Sequence, residues 1–422
     1  MGRTTSAETK QGDSFTIGPT AIDALKKWPE MRQRNDEITF NPKICYCKIT
    51  GERITEPMEL TELMPKDSGM KRVYRHSRPK FHKMLLEQLN KVGLSVEYGK
   101  EVADYFEDVG SNRAGVVLKD GSKHEADLIV AADGVRGASW SLIAGRPVSA
   151  KSSGDAIFRV AYPIAIALKD PVIAERFPLL EDGRPLAELW VGTDEEMSFA
   201  IQHPDTGTAE ESWGHRVHPD EVLKYTATVE GWPEVANRVI KATPPDLLVD
   251  WKLMWRDPQP TWTSPGGRVV QLGDAGHTFL PSSGNGATQA IEDAVSLAAC
   301  ISMARSNEDI PDATRVHNLL RFERVSFLQA FGIKNRAKHS SGTNSGGDAK
   351  RNVVHFGKWM VEHDPEEYAL RNYQQALECL RSGLPFKNSN TPPGVEYRPW
   401  TIDGLLEAQE KGEPTVLDGD WD

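Results

Sequence analysis

Apolar positions divide the chain before any chemistry is considered. Ile22, Leu25 and Trp28 recur at helical spacing after the short run SFTI and a Gly-Pro turn, which predicts a strand, a turn and a helix. SRPKFHKMLLEQLNKVG predicts an amphipathic helix capped by Ser77, with Pro79 in its first turn and Gly93 closing it. From Ile38 to Met64, ITF, KICYCKIT and MELTEL alternate with period two and predict strands. SVEYG, YFEDVG and AGVVLKDGSKHEADLIVAADG predict further strands. Within the last of these, LKDGSK is a hairpin with an Asp-Gly turn, and DLIVAADG is a buried strand that ends at an Asp-Gly pair.

From residue 151 to 261 the pattern shortens to AIFRVAYPIAIAL, AELWVG and MSFAIQH, with a helical insertion at PDEVLKYTATV. This predicts a separate β-rich lobe. RVVQL then predicts a buried strand, followed by a glycine-rich loop, a long helix from about Thr288 to Ser306, and further helices through Ala337. Residues 339–351 predict a Ser/Gly-rich linker, and the tail from Asn352 predicts one more helix and an acidic, Pro-containing end. The expected fold class is α/β with two lobes. The expected divisions are 11–150 and 262–338 for one lobe, 151–261 for the other, and 339–422 for the tail.

The chain has 422 residues, 39% hydrophobic and 26% charged, which is an ordinary globular composition able to bury a sizeable core. The net charge of −11 leaves no basic excess to meet phosphates, so a nucleic-acid or anionic-membrane partner is not expected. No run of about 18 apolar residues predicts a membrane span. MGRTTSAETKQGDS has no apolar core of a secretory signal, so a cytoplasmic location is expected. The four cysteines form no CxxC pair; Cys45 and Cys47 would share one face of a strand as reduced thiols, and metal binding is not expected.

The most informative stretch is GDAGHTFLPSSGNGATQAIED, residues 273–293. Asp274 follows directly on a buried strand, where open parallel sheets bind their ligands, and its carboxylate can accept hydrogen bonds from sugar hydroxyls. Pro281 stiffens the turn, and Gly284 and Gly286 let backbone approach a flat ligand. The helix that begins near Ala287 points its half-positive end into the same loop. Polyol hydroxyls and a planar ring that gathers negative charge suit this arrangement, as in a reduced flavin.

GDAGHTFLPSSGNGATQAIEDA resembles the flavin ribityl-binding motif of the FAD-dependent aromatic hydroxylases, the p-hydroxybenzoate and salicylate hydroxylase-like monooxygenases. AADGVRGAS is similar to their second motif, RPKFHKML to the segment in which an arginine contacts the cofactor, and KWMVEHDPEEY to the fungal salicylate hydroxylase-like subgroup. The resemblance implies FAD as cofactor, NAD(P)H as reductant, and oxygen transfer from a flavin hydroperoxide to an electron-rich, usually aromatic, small molecule. It implies that Gly273 and Asp274 meet the ribityl chain and that Asn285, Gly286 and Ala287 hold the pyrimidine end of the ring. It also places Arg78, Asp133, Gly134 and Gly12 near the rest of the cofactor, and Arg159 on a substrate-lobe strand facing the ring. Taken singly, Arg78 reads equally as a solvated charge at a helix start, Asp133 as a turn residue, Arg159 as a sheet-surface charge and His277 as a structural histidine.

Two features depart from the family. No Gly-x-Gly-x-x-Gly occurs anywhere in the sequence, so the expected sheet is a Rossmann-like FAD/NAD(P)-binding sheet truncated at its N-terminal side, with tight FAD binding in doubt. After Trp190-Val191-Gly192, TDEEMSFAIQHPD follows at once, so a hairpin of the substrate lobe is expected to be missing, and the places of a usual Ser and Arg after the second motif's Asp-Gly hold Gly137 and Trp140. An incomplete gene model, a non-redox descendant acting as a binding module or a cofactor-free cyclase or isomerase, and a flavin halogenase are the rival readings. WKLMW does not match the WxWxIP expected of the last.

Overall fold

The computed structural model describes residues 14–40, 43–44, 47–56, 58–63, 74–177, 196–212, 214–341 and 356–413. Gly12, Cys45, the AELWVG run with Trp190-Val191-Gly192, and most of the Ser/Gly-rich stretch lie outside these residues.

Two short strands position the site. Val269–Gln271 runs parallel to Ile129–Ala131, with Gln271 opposite Ala131. The Leu272 amide extends the pairing to the Ala131 carbonyl at 3.0 Å. Both chains therefore leave the sheet side by side at the same end, one into Asp133 and the other into Asp274. Val269 and Val270 are fully buried, as the β-branched run requires, whereas Val130 is 45% exposed and only Ala131 of its strand is buried. Beside this pair, Val102–Asp108, Arg113–Leu118 and Lys123–Ala126 form an antiparallel meander. The Asp-Gly turn predicted inside it is present, with Gly121 at φ +83°.

The second lobe is a three-stranded antiparallel sheet with Lys151–Pro163 between Glu196–Pro204 and Val249–Trp255. Phe158, Val160 and Tyr162 point to one face and bury against Val222, Val239 and Ile240 of the helices Pro219–Thr226 and Glu234–Lys241. The alternate positions, Ile157 and Arg159, point to the other face. Trp251 stands opposite Ile157 there, and both pack against the same buried cluster as Phe279, a cluster that includes Leu280 of the glycine-rich loop.

Several elements differ from the sequence pattern. Residues 19–28 form only one helical turn, Pro19–Ile22, and a 3-10 segment, Asp23–Lys27. Helix resumes at Pro29–Ile38, which the pattern missed because its buried positions are Met31 and the polar Asn35. Among the described residues of the 38–64 region the strands are two residues long, Lys43–Ile44 and Met58–Glu59. SVEYG is irregular apart from one bridge at Tyr98. The long helix is Gly286–Ser302, the helices expected after it are one helix, Ile310–Ser341, and the tail holds two substantial helices, Pro365–Ser382 and Ile402–Lys411.

A fully buried charge network joins these helices. Arg321 donates to Glu292 at 2.6 Å and to Asp293 at 2.9 Å, and Arg324 donates to Glu292 at 3.0 Å. Arg324 also reaches the carbonyls of Trp359 at 2.6 Å, Met360 at 3.1 Å and Asn390 at 3.1 Å, tying the tail to the core. Burial alone would raise the Glu292 carboxyl; the charges of Arg324 and Arg321 override it and hold it far below the usual carboxylate range. Thr20 Oγ1 donates to Glu292 at 2.7 Å and so docks the early segment on the same helix.

Next to the network, His317 is fully buried, with Nδ1 3.1 Å from Ser296 Oγ and Nε2 lacking a hydrogen-bond partner. Burial pushes its pKa down to about 4, against the pull of Asp293. The unfolded chain takes up this proton first, near the ordinary histidine value of about 6.5, so stability present at neutral pH is lost as pH falls toward 4. The expected loss is about 3 kcal/mol. Thermal melts from pH 7 to pH 4 should show the midpoint falling, and His317→Gln should flatten that part of the curve. A parallel curve in the variant contradicts the assignment.

Candidate cofactor site

Each loop leaving the parallel strands is anchored by its own carboxylate. Asp133 Oδ2 accepts from Tyr105 Oη at 2.9 Å and from the Ala138 amide at 3.0 Å, while Oδ1 is buried without a partner. Gly137 packs directly beneath this carboxylate: a Cβ there would lie 2.2 Å from Asp133 Oδ1. Glycine at 137 is thus the condition for the loop's shape. Trp140 is buried, and the Arg256 guanidinium stands over its ring at 5.1 Å from the centroid.

The second loop is tied down from below. Asp293 accepts from the Gly273 amide at 3.0 Å and from His277 Nε2 at 2.5 Å. Its carboxyl, despite full burial, is held far below the usual range by His277 and Arg321. Gly273 turns at φ +59°, which frees the next residue to face outward. Asp274 is exposed at the floor of a crowded recess. Desolvation there raises its carboxyl above the ordinary value, opposed by His277, Arg78, Arg256 and the Phe279 amide.

The loop then turns through Pro281–Ser283 and Gly284, at φ +62°, into the helix Gly286–Ser302. Ser282 Oγ donates to the Gly332 carbonyl at 2.8 Å, so the long helix behind supports the turn. The Asn285 side chain donates to Ser283 O at 2.6 Å and gives the helix no side-chain cap. The N-terminus of this 17-residue helix is thus left without a side-chain cap, and Gly286 packs against Phe279 of the same loop, where a Cβ would lie 3.4 Å from the Phe279 Cβ.

The structure brings several predicted residues together. Asp133, Gly134, Gly273, Asp274, Pro281, Gly284, Asn285, Gly286 and Ala287 line the two adjoining loops and the helix start. Arg78, exposed at the head of Arg78–Lys91, stacks over Phe15 at 4.9 Å, and its charge reaches Asp274. Arg159 lies apart from these loops in the chain, on the sheet face it shares with Ile157 and Trp251. Sequence reasoning missed Arg256, Glu211 and Asp293. Glu211, from the second lobe, pairs with Arg136 at 3.1 Å; burial raises its carboxyl against that arginine, and Asp274 adds to the rise. The one signal for Asp293 in the sequence is an acid pair, Glu-Asp, within an otherwise apolar helical run. Arg256 gave none beyond a charge at the end of WKLMW.

A family model described as FAD binding domain matches residues 41–309. FAD-dependent monooxygenase dmxR9 of Cryptosporiopsis sp. (strain 8999) is 38% identical over 430 residues, spanning 97% of this chain and 82% of the relative. Among solved structures, FqzB shares 28% identity with a TM-score of 0.77, covering 94% of this chain and 91% of that one. CtdE in complex with FAD and substrate 4 has the same fold, with a TM-score of 0.77, 23% identity and coverage of 90% and 92%. The chain belongs to the FAD-dependent monooxygenases, and the expected α/β fold class holds. Among the described residues no helix is long and apolar enough to cross a membrane, and no cluster of three or more His, Cys, Asp or Glu side chains can hold a metal ion.

The close packing of Gly137 carries a direct consequence. Gly137→Ala should displace Asp133, release the Tyr105 hydroxyl and weaken flavin binding about tenfold or more, by loss of charge-assisted hydrogen bonds. Flavin fluorescence titration of the folded variant checks this, and an unchanged affinity contradicts it.

Proposed function

We propose that this chain hydroxylates or epoxidises an electron-rich aromatic small molecule, with FAD as cofactor, NAD(P)H as reductant and O2 as oxidant. The observation that carries the reading is Asp274, exposed after a positive-φ glycine and within electrostatic reach of Arg78 and Arg256, in the loop that leads to a helix start without a side-chain cap. The donor set fits the riboflavin half of FAD. Asp274 supplies acceptors for ribityl hydroxyls, and the amides of Asn285, Gly286 and Ala287 meet the pyrimidine oxygens at the positive helix end. Asp133 and Gly134 would serve the ribose and diphosphate, Arg78 would sit near the FAD, and Gly12 would belong to the early segment that passes the cofactor. Gly273, Pro281 and Gly284 shape the loop.

FAD, once bound and reduced, supplies the oxygen-transfer chemistry. The chain's own residues position the cofactor and exclude water. Ile157, Trp251 and Phe279 give the space between the lobes an apolar wall, and Arg159 places a cation on it, suited to an oxyanion of the substrate or to negative charge at the ring. We assign residues 11–150 and 262–338 to the cofactor lobe, 151–261 to the substrate lobe and 339–422 to linker and tail.

The test is a visible spectrum of the purified chain titrated with FAD. The expected result is a bound flavin band that NADPH bleaches under exclusion of oxygen. Asp274→Ala should weaken FAD binding by about 10–100-fold, the loss of one or two charge-assisted hydrogen bonds. A folded protein that takes up no flavin, or an alanine variant that binds as tightly as the parent, contradicts the reading.

A further inference from the structure

We infer that Arg256 is a positioning residue through which the substrate lobe fixes the spacing of the two cofactor loops; the inference rests on the function proposed above. Arg256 is the first residue after the substrate-lobe strand Val249–Trp255. It crosses between the lobes and is 4% exposed. Nη2 donates to the Val135 carbonyl at 2.6 Å, and Nη1 donates to the Ala275 carbonyl at 3.3 Å. Val135 lies two residues after Asp133, and Ala275 immediately follows Asp274. One planar fork thus joins the two loop tips next to their acids.

The surroundings of the guanidinium agree with this role. The Trp140 ring forms a platform under it, and its Nε is buried with no hydrogen-bond partner. Asp274, Glu211 and Asp133 are the charges that face it. The parallel strands beneath align where the loops begin, while Arg256 sets how far apart their tips stand. A second contact from the same lobe reaches the same loop: Glu211 Oε2 accepts from Arg136 Nε at 3.1 Å. The loop at 133–137 is therefore held from the substrate side at two adjacent points, and a displacement of the substrate-lobe sheet is passed to the groups that flank the cofactor.

A lysine keeps the positive charge but lacks the fork that spans two carbonyls. This separates a geometric role from a purely electrostatic one. The experiment compares the parent with Arg256→Lys and Arg256→Gln, reading FAD dissociation constant, visible circular dichroism of the bound flavin, rate of flavin reduction by NADPH, and thermal midpoint without flavin. Both variants are expected to bind FAD about tenfold or more weakly and to show an altered flavin dichroism band. Both should also reduce the flavin up to about 100-fold more slowly at saturating FAD, as a misplaced reacting group would. Trp140→Leu removes the platform and leaves both hydrogen bonds in place, so it tests the same strut where an Arg256 variant does not fold. Its affinity should fall about threefold or more. Parental dichroism and affinity in Arg256→Gln, rescue by Arg256→Lys, or an unaffected Trp140→Leu overturns the inference while leaving the proposed function standing. A parent chain that binds no flavin overturns both.

Discussion

Two adjacent carboxylates on one helix, Glu292 and Asp293, hold the arrangement together. Two unpaired charges of this kind in the interior would be costly, and Arg321 and Arg324 make them tolerable by meeting them at hydrogen-bond distance. The partners face different parts of the molecule. Glu292 looks toward the early segment through Thr20 and toward the tail through Arg324. Asp293 looks toward the cofactor loop, where it accepts from Gly273 and His277. The helix that begins at Gly286 also carries, two turns further along, the group that fixes the acid loop. Helix start and the loop bearing Asp274 are therefore positioned by a single rigid element.

A second constraint acts across the lobes. The parallel pair sets two loops side by side, and a side chain from the other lobe ties their tips. The spacing of these two loops is set by both lobes together. The apolar wall formed by Ile157, Trp251, Phe279 and Leu280 belongs to the same junction.

Much of the site was legible in the sequence because its geometry is written in local backbone requirements. Glycine at positive φ, proline at a turn and an acid directly after a buried strand are readable within a window of twenty residues, so Asp274, Gly284 and the helix start fell where the pattern put them. The Asp-Gly hairpin and the two-lobed α/β division followed for the same reason. Arg256 and Glu211 were not legible: their contacts span 121 and 75 residues, and neither interrupts a periodic pattern. The helix Pro29–Ile38 escaped because it buries a polar Asn35 in place of a second apolar residue. The sequence pattern predicted one helix in the tail where the structure has Pro365–Ser382 and Ile402–Lys411; the tail is also tied to the core by Arg324 meeting the carbonyls of Trp359, Met360 and Asn390, an interaction without periodicity. The missing Gly-x-Gly-x-x-Gly remains a fact of the sequence, and the rival non-redox readings it prompted are not favoured by the family membership.

Hydrogen exchange of the purified chain, followed by mass spectrometry with and without FAD, tests the central claim most directly. The account predicts that FAD slows exchange together at 133–138, 273–279 and 284–289, the two loops and the helix start that share one recess. Protection confined to other segments, or no change at these three when FAD is bound, would contradict it.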